Sequence, residues 1–161
     1  MPGFIVEALS SKHDRASFSC GIEVLDRYFK TQATQDQRRR LANCYVLMDE
    51  DKNKVAGFYT LSAGSVLLSD LPEDLAKRLP RYRSVPVVRL GRFAVDQTYQ
   101  GQKLGASILW DAVERASKSE LMANALVVDA KDDKAQNFYL HFGFIEFGSL
   151  PRRLLFLPGK V

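Results

Sequence analysis

The sequence predicts an α/β (α+β) protein built on a mixed sheet with helices on its faces. Two observations carry that expectation. Two apolar, β-rich segments flank the polar run DEDKN and read as an antiparallel hairpin. Further on, a strand, a glycine-bearing turn, a helix and a second strand follow one another, the order of a β-α-β crossover between parallel strands. No repeat or low-complexity linker interrupts the chain, so residues 1–161 are expected to form a single domain.

The elements follow in order. A helix is predicted from about Gly21 to Arg38, with Ile22, Leu25, Tyr28, Phe29 and Ala33 on its inner face and Ser19 placed to cap it. Strands are expected at Asn43 to Met48 and Val55 to Ser62. A short helix from Pro72 to Leu79 is opened by Asp70 and closed by Pro80. Val87 to Val95 has the apolar, β-branched composition of a buried strand. From Leu104 onward Leu104, Ile108, Leu109, Ala112, Val113 and Ala116 recur at helical spacing. A strand at Ala125 to Asp129, a helix from about Asp132 to His141, and strands near Phe144 to Gly148 and Arg153 to Leu157 complete the chain.

Composition narrows the class. Of the residues, 46% are hydrophobic and 26% charged, ordinary for a globular domain, and no apolar run approaches the roughly 20 residues of a membrane helix. The N-terminal MPGFIVEALSSKHD lacks the charged-then-apolar order of a secretory signal, so a cytoplasmic location is expected. Cys20, Cys44, His13 and His141 show no metal-ligand spacing and no disulfide framework, so no metal is expected and both cysteines are read as reduced and structural. The net charge of +4 is mild, but Arg38, Arg39 and Arg40 adjoin one another and Arg78, Arg81, Arg83, Arg89 and Arg92 crowd one segment. Such clusters suit a polyanionic partner; a solvated basic face explains them too.

The run VVRLGRFAVDQTYQGQKLGASILWDAV carries the chemistry. Its turn, Gln100 to Gly105, sits where a helix begins, and there the first amides lack intrahelical partners and the helix dipole favours an anion. Gly101 and Gly105 carry no Cβ and permit close approach of a phosphate. An ordinary strand-to-helix turn is the alternative. Tyr139, in the helix AQNFYLHFGF beside a stripe of Ala135, Phe138 and Phe142, is placed to face the same cleft or to bond a carbonyl in the core.

FAVDQTYQGQKLG, followed some 30 residues later by AQNFYLHFGF, resembles the acetyl-CoA-binding core of the GNAT N-acetyltransferases. FSCGIEVLDRYFKTQATQDQRRR, GFYTLSAGSV and FYLHFGF, in that order, resemble the toxin branch of that family, of the TacT and AtaT type. The resemblance implies a GNAT fold, about six to seven strands flanked by about four helices, with acetyl-CoA as co-substrate in the splay between the two central parallel strands. It implies cofactor contacts from Phe93, Ala94, Val95, Gln100, Gly101, Gln102, Lys103, Leu104, Gly105 and Ala106. The backbone N–H groups around Phe93 to Val95 would hold the pantetheine arm and polarise the thioester. Tyr139 would be the general acid toward the departing sulfur. The implied partners are aminoacyl-tRNA as substrate, a ribbon-helix-helix antitoxin and a second copy in a homodimer. Two positions depart from the family pattern: Lys103 stands where glycine is usual, and Asp132 where asparagine is common, so no coenzyme contact is carried to the Asp132 side chain.

The central strand reads RLGRFAV and offers arginines but no carboxylate base. An α-amine of pKa near 7.8 is roughly 10 to 15% neutral at pH 7, whereas a lysine of pKa near 10.4 is only about 0.04% neutral. An α-amine on a polyanion therefore suits this strand better than a protein lysine does. Arg38, Arg39, Arg40, Arg81, Arg83, Arg89 and Arg92 are the candidate contacts to the RNA backbone. Phe58 and Tyr59 offer stacking faces that a strand core explains as easily, and His141 is read as surface or packing. The other readings are an acetyltransferase for a small amine or protein N-terminus, and a GNAT-fold binding module without catalysis, the latter motivated by Lys103.

Overall fold

The computed structural model describes residues 3–119, 123 and 125–157. Its strands are β1 (Phe4–Ala8), β2 (Asn43–Asp49), β3 (Lys54–Leu67), β4 (Ser84–Val95), β5 (Ala125–Asp129), β6 (Ile145–Glu146) and β7 (Arg153–Phe156). Its helices are α1 (Glu23–Thr31), α2 (Ala33–Arg38), α3 (Glu73–Ala76), α4 (Leu104–Ser117) and α5 (Asp133–His141). The strands form one mixed sheet in the order β1-β2-β3-β4-β5-β7-β6. β4 and β5 pair in parallel, from Val87 with Ala125 to Leu90 with Val128, and the α4 crossover makes that pairing possible. The pairs β1–β2, β2–β3, β5–β7 and β6–β7 are antiparallel. The chain divides into two units, Met1–Ser62 with Gly91–Ala112, and Ala63–Leu90 with Val113–Val161.

In the first unit one face of the sheet is covered by α1 and α2. Tyr28, Phe29 and Ala33 pack there with Phe18, Val46, Phe58 and Ala94. Phe29 stacks on Phe58 with ring centroids 4.2 Å apart. The helix expected over Gly21 to Arg38 is two helices. Gln32 leaves helical geometry at φ −117°, and its amide closes α1 on the Tyr28 carbonyl. Ser19 is not the cap: α1 begins at Glu23, and it is Asp26 that reaches back to accept the Cys20 amide at 2.8 Å. Ile22 precedes the helix and is exposed, whereas Leu25 is half-buried against the core.

The opposite face of this unit receives α4. The side chain of Tyr59 donates to Asp111 of that helix. Gly57 lies where an added Cβ would come within 2.9 Å of the Ala94 carbonyl and 2.7 Å of Ile108 Cδ1, so glycine is what lets β3, β4 and α4 approach this closely. The expected stripe on α4, Leu104, Ile108, Leu109, Ala112, Val113 and Ala116, is buried throughout. Full burial of each large aliphatic member contributes roughly 1.5–3 kcal/mol.

In the second unit Val66, Leu71, Val85, Val87, Ala125, Val127, Phe147 and Leu155 form the core. The helix expected over Pro72 to Leu79 is regular only from Glu73 to Ala76. Beyond it Arg78 and Leu79 donate three residues back, to Leu75 and Ala76, so the segment tightens into single turns before Pro80. α5 begins at Asp133, with Asp132 capping it by accepting the Ala135 amide at 2.8 Å.

Candidate active site

The phosphate-type turn lies wholly within the first unit and is fastened at three points. Asp96, at the end of β4, is buried; Oδ2 accepts the Ser19 amide at 3.0 Å, and Oδ1 accepts the Thr98 amide at 2.9 Å and hydroxyl at 2.7 Å. Burial works to raise this carboxyl, but those three donors and Lys54 outweigh it and hold Asp96 below the usual carboxylate range. Tyr99 is buried and donates to Asp49 of β2; burial first, and the carboxylate second, push its phenol up to about 12. The Gln100 side chain turns inward and donates from Nε2 to the carbonyls of Val95 at 2.9 Å and Cys20 at 3.1 Å.

Thus fastened, the turn presents backbone to solvent. Gly101 takes φ +84°, and no atom stands within 4 Å of where its Cβ would be, so a ligand can lie directly against the main chain. Lys103 takes φ +63°, the left-handed conformation that favours glycine, while carrying a side chain. Gln102 and Lys103 are exposed, Leu104 is buried under the turn, and Gly105 and Ala106 are half-buried in the first turn of α4. That first turn holds no acidic side chain to compete for its positive end. Open backbone, a helix N-terminus and a lysine together fit a pyrophosphate.

On β4, Phe93 and Val95 are half-buried and Ala94 is buried. The ladder to β5 ends at Leu90 with Val128. Just beyond it the Arg92 amide donates to the Thr60 hydroxyl oxygen at 2.8 Å, a bond that Gly91 makes room for, since a Cβ there would meet Thr60 Oγ1 at 2.6 Å. In the second unit Tyr139 is buried on α5, its ring 5.4 Å from that of Phe144. Burial pushes its phenol well above the ordinary value, so it stays protonated across the physiological range.

The arginines fall into two kinds. Arg38, Arg39, Arg40, Arg81, Arg83 and Arg92 are exposed. Arg89 is half-buried and bound to Asp129 at 3.0 Å, a carboxylate it shares with Arg153 at 2.8 Å. Phe58 and Tyr59 are fully buried and present no stacking face, and His141 is exposed. Both cysteines are buried, with burial raising the Cys44 thiol to about 12. Among the described residues no three of His, Cys, Asp and Glu gather as metal ligands, and no helix is long and apolar enough to cross a membrane. A groove of about 470 Å³ in the second unit, between Ser69–Pro72 and Glu146–Ser149, is lined by none of the candidate site residues.

Sequence reasoning missed the fastenings. Asp96 had a readable signal, an aspartate two residues before a threonine at the mouth of a turn. Thr60 had none, because its role depends on a strand far away in sequence.

The acetyltransferase (GNAT) family matches residues 11–144. A curated relative from Sinorhizobium fredii, "Probable toxin TacT", is 31% identical over 164 residues, covering 96% of this chain and 90% of that protein. A "tRNA-acetylating toxin" from Mycobacterium tuberculosis is 34% identical over 151 residues, covering 92% and 89%. Among solved structures, AtaT complexed with acetyl-methionyl-tRNAfMet superposes with a TM-score of 0.90 at 29% identity, covering 98% of this chain and 96% of that one. AtaTR bound with AcCoA gives 0.85 at 28%, covering 99% and 96%. A tyrosine-to-phenylalanine mutant of AtaT bound to the C-terminus of the antitoxin AtaR gives 0.81 at 27%, covering 98% and 95%.

Proposed function

The chain belongs to the acetyltransferase (GNAT) family, and on that footing we propose that it is a toxin: it moves the acetyl group of acetyl-CoA onto the α-amino group of an aminoacyl-tRNA and so blocks translation. The observation that carries this reading is that likeness to a tRNA-acetylating toxin runs along nearly the whole chain rather than along the phosphate turn alone. The chemistry of β4 agrees with it. Gly91–Val95 contains no carboxylate, and an α-amine needs little help to lose its proton.

The reaction forms one C–N bond and breaks one C–S bond; the amine gives up a proton and the departing sulfur takes one. The turn amides from Gly101 to Ala106, with Lys103, hold the pyrophosphate of acetyl-CoA, and Gln100 fixes the turn. The backbone of Phe93, Ala94 and Val95 holds the pantetheine arm and polarises the thioester carbonyl. Tyr139, protonated throughout the working range, delivers a proton toward the sulfur and is restored through solvent by the proton the new amide sheds. Arg38, Arg39, Arg40, Arg81, Arg83 and Arg92 are the cations available to phosphates, whereas Arg89 is held by Asp129.

Residues 1–161 would work as one acetyltransferase domain, a reading supported by a family match that reaches into both units; 1–2, 120–122, 124 and 158–161 lie outside the described residues. The remaining elements of the proposal are a cytoplasmic location, a homodimer, no metal, and neutralisation by an antitoxin of the ribbon-helix-helix type. The test is expression in a bacterial host. Wild-type protein arrests growth and Tyr139→Phe relieves the arrest; normal growth with soluble wild-type protein overturns the proposal.

A further inference from the structure

Two arginines of β4 have different surroundings. Arg89 is paired with Asp129, which Arg153 binds as well. Arg92 is exposed, and after the hydrogen bonds of Gln32 and Tyr28 its charge helps hold the Asp36 carboxyl below the usual carboxylate range. Side chains alternate along a strand, so Arg92 shares a face with Ala94, which packs with Tyr28, Phe29 and Phe58. The Arg92 side chain accordingly emerges over α1, where its guanidinium carbon lies 4.1 Å from the centroid of the Tyr28 ring.

That ring is held on every side. Tyr28 is buried, its hydroxyl donates to Asp36 Oδ2 at 2.8 Å, and Asp36 Oδ1 accepts from Gln32 Nε2 at 3.1 Å. Asp36 thus ties α1 to the break between the helices, and its charge lies within reach of the Arg92 guanidinium. A guanidinium over an aromatic face is attracted by the ring and keeps its N–H donors for other acceptors, and a guanidinium can grip a phosphate with two parallel bonds. The backbone beneath it is held too, by the Thr60 hydroxyl on the Arg92 amide. The exposed Arg38, Arg39 and Arg40 follow directly from the same α2 that carries Asp36.

We propose that Arg92 is the phosphate contact nearest the transferred acetyl group, gripping a phosphodiester of the acceptor's single-stranded end, and that Tyr28 and Asp36 are the positioning residues that set its guanidinium. The inference rests on the functional reading above, which puts the thioester on Phe93 to Val95, immediately after Arg92 in the strand.

The experiment compares wild type, Arg92→Gln, Arg92→Lys, Tyr28→Phe and Tyr28→Leu on two acceptors: an aminoacyl-tRNA, and an amino-acid amide that has the α-amine but no phosphate. KM and kcat are read across a series of KCl concentrations, and calorimetry with acetyl-CoA checks that each variant is folded. Arg92→Gln is expected to raise KM for aminoacyl-tRNA about tenfold, a larger loss than on the amide, and to lower the slope of log KM against log salt by about 0.7–0.9, the signature of one lost phosphate contact. Arg92→Lys restores the slope but not the full KM, because an ammonium lacks the planar fork. Tyr28→Leu shifts KM in the same direction as Arg92→Gln, and Tyr28→Phe, which keeps the ring and loses the tie to Asp36, shifts it less. If Tyr28→Leu fails the calorimetric check, Tyr28→Phe carries the positioning test. An unchanged salt slope in Arg92→Gln, or equal losses on both acceptors, overturns the proposal, and Tyr28 variants matching wild type overturn the positioning role. A folded wild type that acetylates no charged tRNA overturns the functional reading and this proposal with it; an active wild type with an unaffected Arg92→Gln overturns this proposal alone.

Discussion

Asp96→Ala removes the fastening on which the turn before α4 depends. The carboxylate accepts the Ser19 amide at 3.0 Å and two donors of Thr98 at 2.9 and 2.7 Å, with Lys54 Nζ 3.9 Å away. Thr98 is exposed and its donors turn to water at little cost, but the Ser19 amide is half-buried and loses its acceptor. One orphaned donor plus the lost charge-assisted bonds gives about 2–4 kcal/mol. For a chain of this size that lowers the melting temperature by about 4–16 °C. Urea unfolding of wild type and variant measures the difference, and calorimetry measures the weaker acetyl-CoA binding expected from a loosened turn. Acid supplies a second check. Asp96 is held below its unfolded value near 3.9, so its contribution is complete above that pH and disappears as pH falls from there toward the folded pKa. The gap between wild type and variant should therefore be constant from pH 5 to 8 and close below about pH 4. A variant within about 0.5 kcal/mol of wild type at neutral pH, or a gap that widens in acid, would refute the reasoning.

Lys103 bears a Cβ at φ +63°, so Lys103→Gly should unfold at higher urea than Lys103→Ala, by about 1 kcal/mol; equal stabilities would contradict a left-handed residue there. The pH profile of kcat/KM on aminoacyl-tRNA should rise with the neutral fraction of the α-amine, level off above about pH 8, and show no alkaline fall below about pH 10, because burial raises Tyr139. Tyr139→Phe should lower kcat by about 10²–10⁴ while leaving the melting temperature nearly unchanged.

What could be read from the sequence was whatever is local. The α4 stripe at helical spacing, the hairpin around DEDKN and the strand-turn-helix of the phosphate site each declare themselves within a dozen or so residues. β1 escaped because FIVEA is too short to show alternation, and it becomes a strand by pairing with β2 from Phe4 with Asp49 to Ala8 with Tyr45. The break at Gln32 escaped because EVLDRYFKTQATQDQR is helical in pattern throughout, and the contacts of Asp36 with Tyr28 and Gln32 fasten the break once the chain has folded. At the candidate site, the glycine turn before α4 and the place of Tyr139 on the helix after β5 were legible from spacing. That Gln100 reaches the Cys20 carbonyl, that Arg89 is paired while Arg92 lies over Tyr28, and that Phe58 and Tyr59 are buried all follow from neighbours distant in sequence.

The central claim is that the acetyl group goes to the α-amine of a charged tRNA. Its most direct test incubates the protein with labelled acetyl-CoA and, separately, aminoacyl-tRNA, deacylated tRNA and total protein. Label should appear on aminoacyl-tRNA alone, and mild alkaline hydrolysis should release it as an N-acetyl amino acid. Label on protein or small amines, with none on charged tRNA, would contradict the account.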